Sequence, residues 1–248
     1  LPESPVASAS EVVLTPSSEA NDMANQVPVE QNETISSPAA NISQQPIEVI
    51  TDTLRVMINP VRGNIISAEL LNYKETLDKD SAPINLLENR NGRVFLALSG
   101  LYGEGAPDFK NNLALFKSAD SQYQLGENDD TLTVDLLWSN PQGVKYTKRF
   151  TFKRGEHQMD VSYLVDNLSN QKIANRMFTS LRRDQKEVEG VKSEGIGMTS
   201  YLGPAYSTFE SKYEKYSFDD LLEEDLSKQT QGGWVAILQH YFVTAWVP

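Results

Sequence analysis

Residues 144–166 read Val-Lys-Tyr-Thr-Lys-Arg-Phe-Thr-Phe-Lys-Arg-Gly-Glu-His-Gln-Met-Asp-Val-Ser-Tyr-Leu-Val-Asp, and their alternation decides the fold class. Val144, Tyr146, Phe150 and Phe152 fall on one face of an extended chain, with Lys145, Thr147, Arg149, Thr151 and Lys153 on the other. The pattern pauses at Arg154-Gly155-Glu156 and resumes with Met159, Val161, Tyr163 and Val165 facing inward. A period of two marks a half-buried strand, and two such runs around a glycine turn predict a β-hairpin with one wet face. Phe150 is then a core residue, and an aspartate there would leave an unpaired buried charge costing several kcal/mol. Lys148 is assigned to the rim, where Lys148→Asp is expected to cost under about 1 kcal/mol.

Outward from this hairpin, short runs of the same kind predict strands over Leu54–Ile58, Asn64–Leu71, Val94–Leu98, Thr131–Trp138, Met177–Arg182 and Trp234–Val247, each ended by Gly, Pro, Asn or Asp signals or by charge. Only the stretch from Asp219 to Leu226 suggests a short helix. Many strands separated by turns, with almost no helix, predict an all-β domain with minor α content, built as a sandwich or barrel.

The pattern starts at Ile47. Between Leu1 and Leu54 there are eight acidic residues and no Lys or Arg, and six of the twelve prolines lie in this stretch among Ser, Ala, Asn and Gln. Such a chain cannot bury enough apolar surface to offset its conformational entropy, so residues 1–46 are expected to be a disordered, acidic, Pro/Ser-rich tether, with residues 47–248 forming the β domain. From composition alone, a passive tail serves equally well as a description.

The remaining composition excludes several functions. A net charge of −12 argues against a nucleic-acid surface, which needs clustered Lys and Arg to displace counterions. With no cysteine there is no disulfide framework and no thiolate metal site. No stretch approaches the roughly 18 consecutive apolar residues of a spanning helix, so the 248 residues are not expected to insert in a membrane themselves.

Chemistry-bearing residues are few. His157 and His240 are the only histidines, and neither has a second histidine or a tight carboxylate cluster nearby in sequence. His157, just after the hairpin turn, is read as an exposed edge residue, and His240, between apolar neighbours, as a structural one. Gly100-Leu101-Tyr102-Gly103-Glu104-Gly105 lacks the Lys-Ser/Thr pair of a phosphate loop and is read as a turn. The acidic residues Asp219, Asp220, Glu223, Glu224 and Asp225 lack calcium-loop spacing and are read as a solvated face. No cofactor is expected. Between Tyr206 and Trp234, aromatics alternate with charges, and Tyr206, Tyr213, Tyr216, Phe218 and Trp234 are the candidate partner-binding residues, because aromatics on a polar surface supply contact area at little entropy cost. The alternative is that they pin a long loop to the sandwich.

Three separated blocks then carry a family resemblance. They are Asp52-Thr53-Leu54-Arg55-Val56-Met57-Ile58-Asn59 with Arg62-Gly63-Asn64; the hairpin strand Tyr146 to Gly155; and Ala205-Tyr206-Ser207-Thr208, Lys212 to Asp219 and Gly232-Gly233-Trp234 through Trp246-Val247-Pro248. In this order they resemble the periplasmic domain of the YidC family of membrane protein insertases, over Ile47 to Pro248. The resemblance implies a twisted β-supersandwich like the galactose mutarotase fold, truncated here because the family's domain continues past Pro248 with further strands and a helix. It also implies a site in the periplasm between the first two transmembrane helices of an inner-membrane protein. The domain would be no enzyme. It would serve as an interaction platform for the secretion subunits SecD and SecF, the Sec translocon or nascent membrane protein segments, with insertion itself left to membrane helices. The rival is a mutarotase-like carbohydrate-binding or epimerase domain, which needs a positioned acid and base that two unpaired histidines do not supply.

Overall fold

The computed structural model describes residues 45–90, 92–110, 112–186, 201–239 and 241–248. Among these there are fifteen strands and one short helix. In chain order they are β1 (Ile47–Ile50), β2 (Leu54–Asn59), β3 (Asn64–Lys74), β4 (Pro83–Arg90), β5 (Arg93–Tyr102), β6 (Lys117–Ser118), β7 (Gln122–Gln124), β8 (Thr131–Ser139), β9 (Val144–Lys153), β10 (Met159–Asn167), β11 (Arg176–Arg183), β12 (Leu202–Ser207), β13 (Glu214–Lys215), helix α1 (Phe218–Glu223), β14 (Trp234–Gln239) and β15 (Phe242–Trp246).

They form three sheets. The largest runs β11-β5-β4-β3-β2-β1-β7; the second is β10-β9-β8-β6, and the third β13-β12-β14-β15. Pairing is antiparallel except where β7 adds to β1 in parallel. Strand alternation sets which side chains meet. In β2, Leu54, Val56 and Ile58 are buried while Arg55, Met57 and Asn59 are not. The core joins Val49, Val56, Ile58, Ile65, Leu87 and Phe95 of the seven-stranded sheet to Val134, Leu136, Phe150 and Phe152 of the second sheet, with Ile237 reaching in from the third. That face-to-face contact makes a sandwich-like arrangement. A smaller cluster of Leu101, Ala106, Val144 and Tyr146 lies beside it, with Trp138, Tyr163 and Ile173 packed against it.

The hairpin forms as the sequence predicts, β9 pairing with β10 through Phe152↔Met159, Phe150↔Val161, Lys148↔Tyr163 and Tyr146↔Val165. Its tip is tied down: the Asp52 carboxylate accepts from Gly155 N at 2.9 Å, and Thr53 Oγ1 donates to Glu156 O at 2.5 Å. Two expectations about it are corrected. Lys148 is not a rim residue; it is 0 % exposed, because a strand that buries Tyr146 and Phe150 must also turn position 148 inward. Val165 lies on the expected face, opposite Tyr146, but on this edge strand it is 40 % exposed and not part of the core.

Elsewhere the expected strands stand with somewhat extended ends. Trp234–Val247, read as one strand, is the hairpin β14–β15, with Gln239 opposite Phe242. The expected helix is present as Phe218–Glu223, one residue earlier at its start and shorter than the sequence suggests. Gly100, read as part of a turn, lies inside β5, and the turn follows it, with Ala106 N donating to Gly103 O at 3.0 Å. The stretch read as a tether lies outside the described residues up to position 44, and β1 starts at Ile47.

Candidate functional site

The third sheet carries the candidate residues. Cross-strand partners share a face, so the register Tyr206↔Val235↔Trp246 places these three on one side, and Ser207↔Trp234 and Ala205↔Ala236↔Ala245 on the other. The first side meets the main body: Ile237 joins the core, and Trp246 Nε1 donates to Ser180 O of β11 at 3.1 Å. The other side holds Trp234, whose half-buried ring lies 6.1 Å from that of Tyr213 at an interplanar angle of 46°. Tyr213 itself is 52 % exposed. Gly233 makes the entry to β14 possible. Its φ is +115°, and any Cβ there would strike the carbonyl oxygen of Ser207.

Tyr216 and Phe218 are half-buried at the start of α1. Tyr216 N donates to Pro204 O at 3.1 Å and its hydroxyl to Glu224 O at 2.9 Å. The helix is begun by a capping box: Asp220 N donates to Ser217 Oγ at 3.1 Å, and Ser217 N donates to Asp220 Oδ2 at 2.8 Å. The bonds from the Ser217 side chain and backbone hold the Asp220 carboxyl below its ordinary pKa. Asp219, Asp220, Glu223, Glu224 and Asp225 are all exposed, a solvated face as read.

The structure therefore brings Tyr213 and Trp234 together, sets Tyr216 and Phe218 beside the helix, and puts Tyr206 on the opposite side of the sheet from Trp234. Sequence reasoning missed Tyr201. Its hydroxyl donates to Pro204 O at 2.7 Å and the Lys215 ammonium lies 4.5 Å above its ring. Burial first, then Tyr213 and Asp220, push the Tyr201 phenol above its ordinary pKa. Its place in the aromatic alternation, five residues before Tyr206, was the available signal. Phe209, 84 % exposed, and Leu222 and Val243 add apolar surface that the sequence reading also passed over.

His157 is exposed, its ring edge-on to Tyr73 at 5.7 Å, and Tyr73 stands in the same way against Phe242 at 5.8 Å. His240 lies outside the described residues. Among the described residues no group of three or more His, Asp or Glu side chains could hold a metal ion, and no helix is long and apolar enough to cross a membrane.

A family model described as the YidC periplasmic domain matches residues 46–248. The chain belongs to this family. Its similarity to curated relatives agrees: a membrane protein insertase YidC of Shewanella woodyi is 39 % identical over 98 % of the chain and 44 % of that protein. One of Pseudomonas putida is 42 % identical over 84 % of the chain and 37 % of its own length. One of Pseudomonas aeruginosa is 39 % identical over 100 % of the chain and 47 % of its own length. The chain thus spans less than half the length of these relatives. The YidC match takes in all fifteen strands and the whole aromatic surface, so the third sheet belongs to the family's periplasmic domain rather than to an addition peculiar to this chain.

Proposed function

We propose that this domain is an interaction platform of a membrane protein insertase. Facing the periplasm at the inner membrane, it engages secretion partners such as SecD, SecF and the Sec translocon, or nascent membrane protein segments in transit. The observation that supports this reading is the Tyr213–Trp234 pair, with Tyr213 exposed, on a sheet whose strands and connections also leave Phe209, Leu222 and Val243 exposed. Exposed aromatic side chains are enriched at contact surfaces. Residues 1–46 serve as the acidic tether linking the domain to a preceding membrane helix. Insertion is the work of membrane helices, and the domain catalyses no reaction of its own.

The test is photocrosslinking in the intact envelope, with a photoreactive amino acid at Tyr213, Tyr216 or Trp234. Adducts to secretion subunits or to newly made membrane proteins are expected from these positions and not from Lys145 on the hairpin's wet face. Equal labelling from all four positions would remove the assignment of the surface.

A further inference from the structure

Lys148 stands midway along β9, in register between Leu136 of β8 and Tyr163 of β10, and no part of it reaches solvent. Its side chain crosses between layers. Nζ donates to Ser99 O of β5 at 2.7 Å and to Arg62 O, in the turn between β2 and β3, at 3.1 Å. That turn is shaped around it. Arg62 adopts φ +62°, a left-handed conformation costly for a non-glycine residue, and a Cβ on Gly63 would lie 3.0 Å from Lys148 Cδ.

The groups facing the amine come from β5, β9, β10, the loop after β5 and the turn between β2 and β3. The Phe150 and Tyr163 rings lie 5.6 and 5.5 Å from Nζ, and the Tyr163 hydroxyl donates to the same Ser99 carbonyl at 3.2 Å. Asp108, 1 % exposed and held by Leu101 N at 2.9 Å, supplies a buried carboxylate whose charge acts on the lysine. Arg62 presents its carbonyl. Two carbonyl acceptors match the two hydrogens of a neutral amine. Two ring faces and a carboxylate match an ammonium. The surroundings thus suit both protonation states.

We propose that Lys148 is a proton-sensitive clasp between the hairpin sheet and the seven-stranded sheet, taking up a proton in place as the solution turns acid, so that the domain then holds a fully buried charge and loses stability. Burial lowers its pKa from 10.5 to about 7, with Asp108 pulling the other way. The native value lies below the unfolded one, so unfolding takes up a proton between about 7 and 10.5. Stability from this group rises with pH across that window, and below it is absent. Tyr163, whose phenol burial and Asp108 hold well above its ordinary pKa, stays neutral throughout.

Urea unfolding of the full 248-residue chain and of Lys148→Met, from about pH 6.5 to about pH 9.5, tests this. Relative to the variant, the unfolding constant of the parent should fall by up to about tenfold per pH unit above about pH 7.5. The Lys148 Cε resonance, identified by its loss in Lys148→Met, should titrate near neutrality, and Asp108→Asn should move that titration to lower pH. Parallel stability profiles, or a Cε resonance titrating with the surface lysines, would overturn the proposal. If Lys148→Met does not fold, the lysine resonance displaced by Asp108→Asn decides the matter alone.

Discussion

The second and third sheets have four strands each, yet they place their large side chains in opposite ways. In the second, β9 buries Tyr146, Lys148, Phe150 and Phe152 almost completely. In the third, the buried positions are mostly small, namely Gly203, Ala205 and Ala236, with Ile237 the one large exception among the described residues, while Tyr213, Val235 and Val243 remain exposed. The sequence carries this difference in its spacing. β9 repeats a large residue at every second position over five such positions, enough to close one side of a core. β12 has Gly203-Pro204-Ala205, which lets neighbouring backbone approach but fills little volume. One sheet stabilises the fold, and the other leaves apolar area available for contact.

The sharpest way to break this contrast is to place a carboxylate inside β9. Phe150→Asp and Lys148→Asp should each cost more than about 4 kcal/mol, the first by an unpaired buried charge and the second by the same plus the loss of the donor to the Ser99 and Arg62 carbonyls. Thermal unfolding of both variants, with Ser162→Asp, exposed on the wet face of β10 opposite Arg149, as a mild control, measures it. A mild Lys148→Asp would return that residue to the rim.

A middle-sized effect separates the turns that feed the two sheets. Gly233→Ala should cost about 2 kcal/mol or more, because a positive φ and a collision with the Ser207 backbone act together. Gly155→Ala, at the hairpin tip with nothing within 4 Å of a Cβ, should cost about 1 kcal/mol from its φ of +76° alone. Urea midpoints of the two variants compare them directly. The smallest effect belongs to the exposed surface. Tyr213→Ala, losing only part of a ring contact with Trp234, should cost about 1 kcal/mol or less while abolishing the photocrosslinks from Trp234. A large loss of stability from Tyr213→Ala would mean that the aromatics pin the loop and do not recruit partners.

Local periodicity reveals a strand where one face is wet and the other dry, as in β2, β8 and β9. It fails where that asymmetry is lost. β4 opens with a proline and ends in Glu-Asn-Arg, so its pairing with β3 and β5 is set by distant neighbours rather than by its own alternation. β12 contains Gly203-Pro204, which interrupts any alternation. The β14–β15 turn has neither glycine nor proline between Gln239 and Phe242, so no breaker residue signalled the reversal. The period of two already puts Lys148 on the buried face, and what no window reveals is the pair of acceptors that let a lysine stay there, 49 and 86 residues away in the chain. Of the candidate surface, the residue types were legible, but not that Tyr206 would be separated from Trp234 by the thickness of a sheet.

β1 is only four residues long, but it is paired on both sides, antiparallel to β2 and parallel to β7, with Val49 fully buried between them. It is also where the described body meets everything that precedes Ile47. A force applied along the axis of β1 would load the bonds of both ladders together, in shear, instead of peeling them apart in turn. β1 is thus held by two ladders of backbone hydrogen bonds where an edge strand of its length has one.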